Sequence, residues 1–238
     1  MKKLLIIFGC LFSIIATAQQ ITVPFEFPIK PGSKEWSTFT SSKQMDEVCV
    51  IPEDVLKELT TNALLITCLH YPRLIDIFMD INLQKGFDFY SSHFNGLTEF
   101  IKRPDAGENL FKTYLDLDIE HPDNALFNFK LSGFQVALLE ILIAQEKIIS
   151  GYNSIEIELL LNKSRLVLEK RQSLGESLYK QKTSAFIISR VLSSENKNLS
   201  EYDKNGNDIF KIFNSHAILA DSTIINKLLI TAKEQFNK

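Results

Sequence analysis

From residue 42 onward, apolar side chains recur at the three- and four-residue spacing of a helix face, and prolines and glycines cut that pattern into pieces. Pro52, Pro72 and Pro104 sit where a first helical turn tolerates a missing N–H. The pattern predicts helices near 43–50, 52–59, 62–70, 73–93 with a break near Asn82, 96–102 and 105–117. Thr60 or Thr61 is placed to cap the third, and Asn95-Gly96 reads as a stop followed by a restart. Beyond His121-Pro122-Asp123 the elements lengthen. The segment 123–149 is apolar around most of its circumference and predicts a central buried helix. Asn153 with Glu156 forms a capping-box pattern opening a helix to about Leu174. Residues 175–193 continue as a helix supported by the Glu176–Lys180 spacing. A polar loop over 194–207 precedes two last helices near 208–214 and 223–236. No long period-two alternation follows Ser42, so the class is all-α.

Two stretches do not fit the helical pattern. Residues 19–41 carry Pro24, Pro28 and Pro31-Gly32 together with Phe25, Phe27 and Trp36, which predicts an extended arm packed on the helical body. The alternative is a strand-like segment offered to a partner. Met1 to Ala18 read as a cleaved signal peptide: Lys2-Lys3, an apolar run from Leu4 to Ile15, then Ala16-Thr17-Ala18. The run is about twelve residues against the roughly twenty of a spanning helix. Cys10 lies in a loose lipoprotein-like box, but cutting there would leave Leu11 to Ile15 apolar on the mature end. The expected division is therefore signal peptide 1–18, arm 19–41 and a single helical domain 42–238, with a possible subdivision near 121. A compact multi-helical domain of short N-terminal and longer C-terminal helices is expected, with an irregular α-solenoid as the alternative.

Cleavage after Ala18 places the mature chain in the periplasm or outside the cell and changes its charge. Removing Lys2 and Lys3 from 26 basic and 29 acidic residues leaves 24 against 29, a net charge of −5. A mildly acidic chain without a basic block has no electrostatic footprint for nucleic acid. No later apolar run is long enough for a transmembrane segment. Cys49 and Cys68 remain, free to pair in an oxidising compartment or to sit as separate core thiols. No second cysteine or histidine completes a zinc set around them.

Candidate chemistry is sparse. Asp76 and Asp80 share a face if 73–93 is an α-helix, with Asp88 and His93 further along, so Asp76, Asp80 and His93 are the one carboxylate–imidazole group to nominate as catalytic. The same positions also suit the solvated side of an amphipathic helix. The loop 201–208 resembles a calcium loop, but its twelfth position is Ile212 where a bidentate glutamate is needed, and Asn205-Gly206 is more simply a turn. Neither a nucleophile elbow nor a glycine-rich phosphate loop is present, and the sequence implies no metal or cofactor.

Several landmarks between residues 24 and 115 occur together: Trp36, Met45, Cys49-Val50-Ile51-Pro52-Glu53, Cys68-Leu69-His70-Tyr71-Pro72, Asn82-Leu83-Gln84-Lys85-Gly86-Phe87, Phe94-Asn95-Gly96-Leu97 and Lys102-Arg103-Pro104-Asp105-Ala106-Gly107. In these the chain resembles a family of secreted, uncharacterised all-helical proteins of Bacteroidetes-type bacteria. The resemblance implies a secreted helical protein and brings no activity, substrate or catalytic residue with it. The resulting expectation is an exported, non-catalytic helical protein that binds or assembles with another envelope or extracellular protein. The alternative is a hydrolase acting on an envelope or extracellular polymer.

Overall fold

The computed structural model describes residues 20–118, 125–126, 129–195, 199–219 and 221–236. The leader, its Ala18/Gln19 junction and the possible subdivision near 121 lie outside them. The first helices are short because each is opened by its own cap. Ser41 and Gln44 form a capping box for α1 (Ser42–Val48), Pro52 precedes α2 (Glu53–Glu58), and the Thr60 side chain accepts from Ala63 N to open α3 (Thr61–Leu69). Every residue of α3 except Asn62 is buried. A 3₁₀ turn, Leu74–Met79, follows, then α4 (Leu83–His93), α5 (Asn95–Phe100) and α6 (Ala106–Leu115).

The expected central helix over 123–149 is corrected in three places. Ala125–Leu126 (β1) pairs antiparallel with Phe129–Lys130 (β2), and the helix begins only at α7 (Gly133–Ile143), behind a Ser132–Gln135 capping box. It then breaks at Ala144–Gln145 before the single turn α8 (Glu146–Ile149). A segment apolar on all sides carries no phase with which to locate its own ends. The remaining elements are α9 (Ser154–Ser173), α10 (Leu178–Ser194), α11 (Ile209–His216) and α12 (Thr223–Gln235). Asn153 and Glu156 form the expected capping box of α9.

One cluster of buried side chains runs from Phe27 to Ala232. Helix α10, buried continuously from Gln181 to Leu192, packs against α7, α8, α9, α11 and α12. A helix with five helical neighbours is the hub of a multi-helical domain, whereas the turns of a solenoid touch only the repeats beside them. The fold is all-α apart from the two-residue hairpin pairing. Among the described residues, no helix is long and apolar enough to cross a membrane.

The arm is fixed to the helical body. Ile21 N donates to Glu58 O at 2.8 Å and Thr60 N donates to Ile21 O at 2.9 Å, while Phe25 N donates to the Thr67 hydroxyl at 2.8 Å. Phe27 is buried beside Tyr71 and Phe94, whose rings stack at 4.2 Å. Thr67 is buried and donates in turn to Ala63 O, so its hydroxyl joins arm to helix. Replacing Thr67 by the near-isosteric valine is expected to cost about 1 kcal/mol. Urea titration checks this, and an unchanged midpoint would detach Phe25 from the stability of the fold.

Candidate functional site

The three residues nominated from the pattern are held in three separate networks. Leu74–Met79 winds with three residues per turn, so an offset of four no longer returns to the same face, and Asp80 caps the turn in extended conformation. Asp76 accepts from Arg73 Nε at 2.8 Å and from the Tyr90 hydroxyl at 3.0 Å. The buried Arg73 also pairs with Asp46 and donates to Ser42 O, tying α1 to the turn. Asp80 accepts from Asn82 N at 2.9 Å and pairs with Lys85 at 3.3 Å, and these contacts hold its carboxyl below the usual range. His93 stacks on Phe89 at 4.0 Å, with Nδ1 2.7 Å from Phe89 O. The structure therefore does not assemble Asp76, Asp80 and His93 into one group. Among the described residues no cluster of three or more His, Cys, Asp or Glu side chains is placed to hold a metal.

Cys49 and Cys68 are both free and buried, so the disulfide option gives way to two core thiols. Burial pushes the Cys49 thiol up to about 12 and raises Cys68 as well, which keeps both protonated and unreactive at neutral pH. The 201–208 loop is the expected turn: Asp203 Oδ1 accepts from Asn205 N and Asn207 N, and Gly206 takes φ +81°.

A polar centre that the pattern did not flag lies inside the bundle. Glu140 on α7 is fully buried and accepts from Arg171 Nη1 at 2.8 Å, from the Ser184 hydroxyl at 2.7 Å, and from the Thr183 and Tyr114 hydroxyls. Burial, followed by the Glu140 charge, pushes the Tyr114 phenol well up. With four donors on one carboxylate and no exposed surface on Glu140, this centre joins α6, α7, α9 and α10.

Above it the surface opens into two hollows that share Tyr179. One, about 370 Å³, lies among Phe134, Val136, Ala137, Arg171 and Tyr179. Its charged groups are paired: Arg171 with Glu140 and Glu176, and Lys180 with Glu176 at 3.2 Å, the contact expected from their spacing. The other, about 270 Å³, lies between the 74–79 turn and α10, among Phe78, Met79, Ile81, Leu178, Tyr179 and Lys182, and also touches Asp80 and Leu219. Phe78 joins the two, its ring 5.3 Å from Phe134 and 6.2 Å from Tyr179, and the Tyr179 hydroxyl donates to Phe78 O at 3.1 Å. Met79 and Ile81 at the rim are 79% and 77% exposed.

Lys182 sets the second hollow apart. It is only 6% exposed, and its Nζ lies 5.0 Å from the centroid of the Tyr179 ring. Among the described residues it has no hydrogen-bond or ion-pair partner, whereas Asp80 nearby is satisfied by Lys85 and Asn82 N. Burial pushes the Lys182 ammonium below its ordinary value of 10.5. The folded protein thus releases this proton at lower pH than the unfolded chain, and the penalty for burying the charge fades as pH rises through the folded value toward 10.5. The melting temperature of the wild type, measured against Lys182→Met, is expected to improve between neutral pH and about 10. Parallel curves would mean that the ammonium is solvated.

The hydrophobic pattern conceals this site for a physical reason. Lys182 sits four residues from both Leu178 and Phe186, inside the apolar row of α10, and that position was its one sequence signal. Comparison with protein-family models, with curated proteins and with solved structures finds no match to the chain.

Proposed function

We propose that the protein is an exported, non-catalytic binding protein of the cell envelope, and that it binds through the cleft around Tyr179. Support for export is the pattern of Met1 to Ala18, with a lysine pair, a short apolar run and a small-residue site. The observation that carries the binding reading is the cleft itself, an apolar concavity rimmed by exposed Met79 and Ile81 that contains one polar group without a partner. The competing reading, hydrolysis of an envelope polymer, drew on Asp76, Asp80 and His93, and those side chains do not meet.

The test uses the protein made with its leader in a Gram-negative host and recovered from the periplasmic fraction. N-terminal sequencing is expected to begin at Gln19, native mass spectrometry to show a bound molecule, and incubation with peptidoglycan or extracellular polysaccharide to release nothing. An intact leader in the cytoplasm would overturn export, and soluble fragments would overturn the non-catalytic reading.

A further inference from the structure

A buried ammonium ordinarily has a carboxylate, several carbonyls or water around it, because removing a charge from water without compensation is costly. Lys182 Nζ lies over the face of the Tyr179 ring, has no hydrogen-bond or ion-pair partner among the described residues, and opens on a hollow whose lining is apolar apart from Asp80. We propose that the hollow between the 74–79 turn and α10 binds a medium-chain aliphatic monocarboxylate, its carboxylate on Lys182 Nζ and its chain along Phe78, Met79, Ile81 and Leu178. The inference rests on the binding reading above and names the ligand class.

Charge and shape select this occupant. Lys182 supplies one positive charge, whereas Asp80 at the edge of the hollow is anionic and already neutralised by Lys85, so a monoanion is matched and a phosphate dianion is not. The Tyr179 hydroxyl is committed to Phe78 O, which leaves the ammonium as the polar group available to a ligand. A peptide terminus would bring further amide N–H and C=O groups against a mostly apolar lining, where Asp80 is already engaged by Lys85 and Asn82 N. The hollow, about 270 Å³, is large enough for an aliphatic chain of several carbons, and octanoate serves as the probe. The chain would also cover Met79 and Ile81, the most exposed apolar side chains of the rim.

The experiment titrates the mature chain with octanoate, octan-1-ol and octylamine by calorimetry. Octanoate is expected to bind at one site, and octylamine not to bind. Lys182→Met should weaken octanoate by about tenfold or more while changing octanol by less than about twofold. The variant keeps the aliphatic stem and removes a charge that has no protein partner, so its melting temperature should not fall. A second measurement needs no variant. The mature chain contains Met45 and Met79, and in ¹³C-methyl methionine spectra octanoate is expected to move the Met79 signal and leave Met45 in place. Absence of octanoate binding, equal affinity in Lys182→Met, or a static Met79 signal would overturn the proposal. If octanoate fails while envelope-purified protein carries another bound molecule, the ligand class alone falls. If no molecule is bound in either experiment, the binding reading falls with it.

Discussion

Replacing Glu140 by alanine is expected to destabilise the protein by about 3–5 kcal/mol, the range for removing one partner of a buried ion pair. For a domain of this length that lowers the melting temperature by roughly 6–20 °C. The size of the effect comes from what is left behind. Arg171, whose side chain is 12% exposed, would keep its charge without the carboxylate, and the Thr183, Ser184 and Tyr114 hydroxyls would lose an acceptor inside the bundle. Arg171 retains Lys180 O at 2.7 Å and Glu176 Oε2 at 3.7 Å, which limits the loss. The paired change Glu140→Leu with Arg171→Met removes both charges and should recover most of the stability lost by Glu140→Ala. Urea denaturation of Glu140→Leu, Arg171→Met and the pair closes the cycle. If Glu140→Ala costs less than about 1 kcal/mol, the centre does not bind α7, α9 and α10 together in the way the hydrogen bonds indicate.

Sequence pattern located the helices whose ends are set by local chemistry. Asn153 with Glu156 caps α9 as expected, Thr60 is the one of the two threonines that caps α3, and Asn82, where a break is expected, opens α4 by accepting from Lys85 N, all decided within a few residues. It failed where distant packing decides. The expected stop and restart at Asn95-Gly96 falls at the boundary of α4 and α5, but Asn95 is the first residue of α5, and its side chain accepts from Ile51 N and donates to Ile51 O, a clamp between segments 44 residues apart. Gly96 is required by packing rather than by a turn. It lies within α5, where a Cβ would meet the Phe94 ring at 2.4 Å and Ile51 Cδ1 at 2.9 Å. The cleft was hidden for the same reason, since its central hydrogen bond, from Tyr179 to Phe78, spans 101 residues. The Asp76/Asp80 pairing rested on assuming α-helical winding through a segment that winds as 3₁₀, which shows how a change of period alone dissolves a proposed constellation.

Gly86→Ala is expected to cost about 3 kcal/mol or more, at the upper end of what overpacking a core site does. The reason lies in the approach of α4 to the 3₁₀ turn. A Cβ on Gly86 would stand 2.3 Å from Ile77 O and 3.3 Å from Ile77 C, both backbone atoms, so no side chain can swing away to make room. Either α4 retreats or the turn moves, and Ile77, Leu83 and Phe87, all buried there, lose their packing in both cases. The turn also carries Phe78 and Met79 into the cleft, so the same displacement should abolish octanoate binding, unlike Lys182→Met, which spares the fold. Gly133→Ala is the control: its Cβ would meet nothing within 4 Å, it begins α7, and helix propensity predicts a neutral or slightly stabilising change. Thermal melts of the two variants separate a steric requirement from a general intolerance of Gly→Ala replacement. Equal melting temperatures for Gly86→Ala and wild type would show that the turn can yield, and would remove the argument that close contact with α4 fixes the wall of the cleft.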